Sequence, residues 1–148
     1  MSTLFLASYP VRFGEIDHAG VMYYPAIFDR IHRAFEDFWP EALGQTYAQV
    51  LADDGIGFPL VDVRASFHRP FRFGDLVEVS IGVARIGTSS IDFAVQLSGP
   101  GEDAARTTAR LTTAVIDLNH FTSLPLPTRY REALRPFVIA EADPGAEE

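Results

Sequence analysis

The sequence contains neither cysteine nor lysine among its 148 residues, so its 12 basic residues are all arginine. Without cysteine, the chain has no disulfide, no thiol nucleophile and no cysteine metal site. Without lysine, it has neither the phosphate-binding lysine of a Walker A loop nor the amine that a Schiff-base or pyridoxal-phosphate enzyme requires. The absence of these two residue types therefore excludes several large classes of enzyme.

Long apolar runs and an excess of basic charge are missing as well. No apolar stretch approaches the roughly 20 residues of a membrane span, and residues 4–7 have no basic segment before them, as a secretory signal would. The net charge of -8 argues against nucleic-acid binding, which depends on a basic surface. We therefore expect a cytoplasmic protein with no membrane or nucleic-acid partner. A few local arginines would still suffice to bind an anionic small ligand.

The composition that is present, 47% hydrophobic and 22% charged, is typical of a folded domain. A chain of this length is expected to build one core, and the sequence shows no internal repeat. We assign residues 1–139 to a single domain and expect the acidic tail, residues 140–148, to be disordered.

Apolar periodicity predicts a strand followed by helices in the first third of the chain. Residues 4–13 are rich in aromatic and branched side chains and predict a strand. Pro25 suits a first helical turn, and apolar side chains recur after it at helical spacing. This long helix is expected to end near Trp39 and Pro40, and a shorter one is expected over residues 45–52.

The period then changes from that of a helix to that of a strand. Four segments alternate apolar with polar or small residues: 61–67, 77–83, 91–97 and 106–118. The short turns between them predict an antiparallel meander, and residues 128–135 predict a last helix. Because the sheet has one apolar face and the long helix one apolar stripe, each can cover the other. The predicted class is α+β, with a curved antiparallel sheet around one central helix.

The loop that joins the first strand to the long helix, residues 14–20, is the best candidate for chemistry. Acyl transfer needs a nucleophile or base and donors for a developing oxyanion. Asp17 could supply the first. The backbone amide of Tyr24 could supply the second, because Pro25 has no N–H and helix N-termini favour negative charge. Gly20 would let a substrate approach the backbone closely. Aspartates also stabilise turns and cap helices, so spacing alone leaves both roles of Asp17 open.

The run VRFGEIDHAGVMYYP at residues 11–25 resembles the signature of the 4-hydroxybenzoyl-CoA thioesterase family, whose members have the hotdog fold. That signature is a phenylalanine at a strand end, an aspartate four residues later, a glycine three further on and an aromatic before the helix. Phe13, Asp17, Gly20 and Tyr24 stand in that register. The resemblance covers most of the chain, including four later segments: 58–61, 65–67, 73–75 and 124–127.

The resemblance implies that the chain hydrolyses an acyl-CoA thioester to a free acid and CoA. The aspartate that matches Asp17 acts in the family as the nucleophile or as a base for water, and the amide that matches Tyr24 polarises the thioester carbonyl. No cofactor is expected, because CoA is part of the substrate. The resemblance also implies a homodimer or tetramer with its sites between subunits. One branch of the family has histidine where Pro25 stands, so the resemblance points to the aromatic-acyl branch, and we expect an aromatic or medium-sized acyl group.

Further residues are expected to bind the two halves of the substrate. Helical spacing places Phe28, His32 and Phe35 on one edge of the apolar stripe, and with Tyr23 they are candidates to contact the acyl group. His32 could meet a ring substituent, or it could be an ordinary helix-edge residue.

For CoA, the resemblance points to Arg85 with Thr88 and Ser89 in the turn that follows it. Arg129 and Arg131 are further candidates.

Three other functions are compatible with parts of the sequence. A metal site at Glu15, Asp17 and His18 is not expected, because three residues so close in one loop seldom converge on an ion. A non-catalytic module that binds acyl-CoA or an acyl carrier could use the same fold. A thioesterase specific for acyl-carrier protein stays open as well.

Overall fold

The computed structural model describes residues 3–140. The disorder expected for residues 140–148 therefore concerns positions that lie, apart from Ala140, outside the described residues. No helix in the described range is long and apolar enough to cross a membrane.

Five antiparallel strands form the main sheet. They are β1 (Phe5–Pro10), β3 (Leu60–Phe67), β4 (Leu76–Ile86), β5 (Ser90–Ser98) and β6 (Thr107–Ala114). Their order across the sheet is β1-β4-β5-β6-β3. Three short strands form a second sheet in the order β2-β7-β8: β2 (Ile56–Gly57), β7 (Ile116–Asp117) and β8 (Thr122–Ser123).

Three helices accompany these sheets: α1 (Tyr24–Leu43), α2 (Tyr47–Asp53) and α3 (Thr128–Leu134). Short 3-10 turns occupy Phe13–Glu15 and Arg135–Phe137. The apolar stripe of α1 is buried, as its spacing predicts, and consists of Ile27, Ile31, Ala34, Phe35, Phe38 and Trp39. The Phe38 ring packs edge-on against Phe93 of β5 at 5.8 Å, and the Trp39 ring stacks on Phe58 at 4.7 Å. The helix and the concave face of the sheet thus bury one another.

The prediction that α1 ends near Trp39 and Pro40 was wrong by one turn. The helix continues through Pro40 to Leu43 and ends at Gly44, whose φ of 73° is left-handed and whose N–H donates to the Pro40 carbonyl at 2.9 Å. Proline deletes one helical hydrogen bond, but Phe38 and Trp39 are fully buried and hold this turn against the core. The helix therefore ends where glycine can adopt the left-handed cap.

The predicted meander is correct for β4, β5 and β6 and wrong for β3. Strand β1 pairs along one edge of β4, so β3 crosses to the opposite side of the sheet and pairs with β6. Two predicted strands are also shorter than expected. The chain leaves the sheet after Pro10 and turns at Phe13–Glu15, and the 106–118 segment divides into β6 and β7, which belong to different sheets.

Strand β3 is one of the two edges of the main sheet, and most of its large apolar side chains are exposed. Leu60, Val61, Val63 and Phe67 are all exposed, Val61 to 61%. The alternation of this segment predicts a buried face, yet α1 leaves these side chains exposed and makes only a ring contact between Phe28 and Phe67 at 6.1 Å. An unpaired edge that carries apolar side chains is a common site of strand pairing with another chain.

Candidate functional site

The loop that carries Asp17 is a tight hairpin in front of α1. Ile16 bridges to Met22 in antiparallel fashion, the Asp17 N–H donates to Val21 O at 2.9 Å, and the Gly20 N–H donates to Asp17 O at 3.0 Å. Gly20 has a φ of 80°, and a Cβ built there would meet nothing within 4 Å. The backbone conformation of the turn thus requires glycine here, and the space above the residue stays open.

The Asp17 carboxylate is held by one oxygen and free at the other. Its Oδ1 accepts the Ala19 N–H at 2.8 Å and, at 3.4 Å, the Val21 N–H. Within residues 3–140, Oδ2 has no hydrogen-bond partner, and the residue is exposed. Asp17 therefore does stabilise its turn, and this leaves one oxygen available to a substrate or a water molecule.

The backbone N–H of Tyr24 makes no hydrogen bond within the described range. The next two helical donors, at Ala26 and Ile27, both reach the carbonyl of Tyr23, at 3.0 and 3.1 Å, and Pro25 between them and Tyr24 has no N–H. Tyr24 thus presents an unpaired donor in the first turn of a 20-residue helix, where the helix dipole also favours negative charge.

The carboxylate of Glu15 is engaged in an ion pair and is therefore not free to act beside Asp17. Its Oε1 accepts Arg30 Nη2 at 2.7 Å, and both side chains are about 85% buried, with exposed fractions of 15% and 13%. Across residues 3–140, no cluster of three histidine, aspartate or glutamate side chains could hold a metal ion.

A small cavity of about 280 Å³ lies at the N-terminus of α1 and is lined in part by Met22, Tyr24 and Phe67. Thr107 also lines it, and the Thr107 hydroxyl is buried without a hydrogen-bond partner among the described residues. A buried hydroxyl usually has a partner, so the Thr107 hydroxyl is an exception beside this cavity. Sequence reasoning missed Thr107, which is one threonine of a strand that contains several.

A larger cavity of about 570 Å³ runs along the side of α1. Three of the four predicted acyl-binding residues, Phe28, His32 and Phe35, line it, whereas Tyr23 does not. Tyr23 instead precedes α1 and supplies the carbonyl that accepts its first bonds.

The walls of the larger cavity also include four residues that no pattern in the sequence marks: Tyr47, Phe58, Leu111 and Leu118. Each comes from a different element or loop, so no single periodicity marks them. The Phe35 ring packs against Tyr47 at 5.4 Å and stacks with His32 at 5.9 Å. Burial raises the pKa of the Tyr47 phenol, which therefore stays neutral.

The predicted CoA-binding residues lie at the other end of the sheet from Asp17. Strand β4 begins beside the Asp17 loop, where Val21 bridges to Arg72, and ends at the turn that contains Thr88 and Ser89. Its 11 residues span roughly 35 Å at about 3.3 Å per residue. One protomer therefore does not bring Asp17 together with Arg85, Thr88 and Ser89.

Arg129 and Arg131 both take part in contacts within the fold. Arg129 donates to Gln45 Oε1 at 2.7 Å and pairs with Asp54, and Arg131 donates to the Gly87 carbonyl at 2.9 Å. Binding a CoA phosphate would compete with these bonds, whereas Arg85 is exposed beside the turn.

Comparison with known proteins gives one family and many structures of the same fold. The family model described as "Thioesterase-like superfamily" matches residues 11–135. A 1,4-dihydroxy-2-naphthoyl-CoA hydrolase from Thermosynechococcus vestitus is 28% identical over 117 residues, which cover 79% of each chain.

Two solved structures share the architecture. A thioesterase-superfamily protein from Jannaschia aligns with a TM-score of 0.86 at 22% identity, over 93% of this chain and 95% of that one. A 1,4-dihydroxy-2-naphthoyl-CoA thioesterase from Synechocystis aligns with a TM-score of 0.79 at 20% identity, over 90% and 96%. The predicted α+β hotdog fold is confirmed. The narrower resemblance to the 4-hydroxybenzoyl-CoA thioesterase family stays a prediction.

Proposed function

Because the chain belongs to the Thioesterase-like superfamily, and is therefore a thioester hydrolase as the sequence predicts, we propose that it cleaves aromatic or medium-sized acyl-CoA. The observation that carries the proposal is that two unused groups occur in the segment that leads into α1. One is the free carboxylate oxygen of Asp17, and the other is the unpaired backbone N–H of Tyr24. The 1,4-dihydroxy-2-naphthoyl-CoA hydrolases among its relatives support an aromatic acyl-CoA as substrate.

The chemistry assigned to these groups needs no cofactor. In one route the free oxygen of Asp17 attacks the thioester carbon, the Tyr24 N–H binds the oxyanion, and CoA leaves as a thiolate. Water then hydrolyses the resulting anhydride to the free acid and regenerates the carboxylate. In the other route Asp17 takes a proton from the attacking water, and that proton ends on the departing thiolate. Both routes use the same donor for the oxyanion.

The first test is release of free thiol from a panel of acyl-CoA esters by the purified protein. We expect turnover of the CoA esters to exceed turnover of the same acyl groups on an acyl-carrier protein. The reverse order would favour a carrier-protein thioesterase. Tight binding measured by calorimetry without thiol release would favour the non-catalytic module.

We also propose that the protein is a homo-oligomer, built from dimers, whose sites lie between subunits. The exposed apolar edge of β3 supports pairing with a second copy. A two-fold pairing of this edge runs the two strands antiparallel, so the Asp17 end of one sheet would lie at the Ser89 end of the other. Asp17 of one subunit would then lie at the same end as Arg85, Thr88 and Ser89 of the other subunit, although these residues are far from Asp17 within one chain.

Mixed dimers test this arrangement. We expect Asp17→Asn to be inactive and the double variant Arg85→Glu/Thr88→Glu to have a raised KM, because its new charges repel the CoA phosphates. Co-expressed, each heterodimer would retain one complete site, since Asp17 of one chain and Arg85 of the other are intact. At substrate concentrations well below the raised KM, about a quarter of the wild-type activity should then return at equal mixing, as random pairing of a symmetric dimer predicts. Failure to recover activity, with heterodimers present by differential tagging, would contradict sites shared between subunits.

A further inference from the structure

The larger cavity begins close to the proposed oxyanion donor. Phe28 lines it and lies one helical turn, about 5.4 Å, beyond Tyr24. The Tyr24 and Phe28 rings are in edge-on contact at 6.3 Å, and Phe28 in turn contacts Phe67 at 6.1 Å. An acyl group whose thioester carbonyl reaches the Tyr24 amide therefore has this cavity one helical turn away, whereas the cavity that Tyr24 itself lines has only about half its volume.

The lining of the cavity is apolar, and His32 is the one basic side chain among the residues that form it. Neither an arginine nor a carboxylate is among the residues that line it. His32 lies at the rim, with its side chain 60% exposed and its Nε2 3.7 Å from Glu36 outside the cavity. The hydroxyl of Thr113 is used within the fold, where it donates to the Ile91 carbonyl at 3.3 Å. A carboxylate carried past His32 into this space would lose its water and find no arginine to pair with in return.

The end of the cavity away from Tyr24 is formed by the small sheet. Gly57 of β2 pairs with Ile116 of β7, and the Leu118 side chain packs against Gly57. A Cβ built at Gly57 would lie 2.7 Å from Leu118 Cδ2 and 3.2 Å from Ile116 Cγ1. Glycine at position 57 thus leaves the space that Leu118 fills, and Leu118 forms an end wall of the cavity.

We propose that this cavity binds the acyl group of the substrate and selects an uncharged, apolar group bulkier than one benzene ring, with Leu118 setting its length limit. The proposal rests on the proposed function and adds the chemical class of the acyl group. A volume of about 570 Å³ lies within the range of sites that enclose drug-sized ligands. A single ring would leave much of the lining without contact, and lost contacts cost binding energy.

Matched acyl-CoA esters test the charge and size of the acyl group. Hexanoyl-CoA and adipoyl-CoA have the same six-carbon chain, and only adipoyl ends in a carboxylate. We expect kcat/KM for hexanoyl-CoA to exceed that for adipoyl-CoA by about a hundredfold or more, because the cavity offers the carboxylate no arginine to pair with. From hexanoyl to decanoyl we expect a rise of about fourfold per methylene until the chain meets Leu118. For the same reason, 2-naphthoyl-CoA should exceed benzoyl-CoA by at least about tenfold.

Changing Leu118 tests the length limit. Leu118→Ala should move the preferred chain to a longer one, and Leu118→Phe should move it to a shorter one. Leu6→Ala is the matched control, because Leu6 is 70% exposed on β1, away from the cavity; it should leave the chain-length profile unchanged. An unshifted profile in both Leu118 variants, or equal turnover of hexanoyl- and adipoyl-CoA, would overturn the proposal.

Calorimetry separates failure of this proposal from failure of the proposed function. The affinity of Asp17→Asn for hexanoyl- and adipoyl-CoA reports on the cavity without turnover. If the wild type releases no thiol from any ester, yet calorimetry shows the expected preference for hexanoyl-CoA, the proposed function fails and the cavity assignment stands. If thiol is released but neither method distinguishes the two esters, the cavity assignment fails alone.

Discussion

Replacing Asp17 with asparagine is expected to lower kcat for every acyl-CoA by roughly a thousandfold or more, because an amide neither attacks a thioester nor accepts a proton from water. The change should leave the fold intact. Asparagine keeps an Oδ1 that can accept the Ala19 and Val21 N–H groups, now at 2.8 and 3.4 Å from Asp17. Steady-state kinetics together with thermal unfolding would measure both effects.

Asp29→Asn provides the matched control for that substitution. Asp29 lies on the solvent side of α1, where its Oδ2 accepts a hydrogen bond from Arg33 Nε at 2.7 Å. This hydrogen bond holds the pKa of the Asp29 carboxyl below its usual range. Surface pairs of this kind contribute little, so kcat should change less than about twofold. A loss at Asp29 as large as that at Asp17 would show that charge in this region, and not the chemistry of one carboxylate, controls the rate.

Deleting the backbone N–H of Tyr24 is expected to have the second large effect. Tyr24→Pro removes that donor at the first position of α1, where proline is tolerated, and Tyr23 before it already has extended geometry at φ -91° and ψ 158°. We expect kcat to fall by about a hundredfold to a thousandfold, which is typical of losing one oxyanion donor. The effect on KM should be much smaller, since the bond strengthens as the oxyanion forms.

Tyr24→Phe and Tyr24→Ala distinguish the amide from the side chain. Both keep the N–H and should keep kcat within a few-fold of wild type, although Tyr24→Ala also loses the ring contact with Phe28. Circular dichroism would verify that all three variants fold. If Tyr24→Pro folds and turns over as well as Tyr24→Phe does, the amide of Tyr24 is not the oxyanion donor.

The sequence predicts the elements of this fold well, because periodicity records which face of a segment is buried. The stripe from Ile27 to Trp39 and the alternation in β4 and β5 are both present in the structure. Periodicity does not record which strands are neighbours. The position of β3 at the far edge depends on β1 having paired with β4, a long-range choice that no local pattern in 61–67 carries.

The same distinction holds for the site, where some features follow from a short run of residues and others depend on contacts between distant segments. The Asp17 turn and the free Tyr24 amide follow from a short run of residues, since Gly20 sets the turn and Pro25 removes a competing donor. The far wall of the larger cavity does not follow from such a run. Tyr47, Phe58 and Leu118 meet there only because α2, β2 and β7 converge on α1. Thr107, whose unpaired hydroxyl depends on what surrounds it, is equally invisible in the sequence.

The most direct measurement of the central claim is CoA thiol release from one apolar acyl-CoA, such as 2-naphthoyl-CoA, by wild type and Asp17→Asn side by side. The account predicts steady turnover by the wild type and a rate near background for the variant, with equal unfolding temperatures for the two proteins. A variant that retains more than about a tenth of the wild-type kcat would contradict the role of Asp17, since loss of a nucleophile or base costs far more.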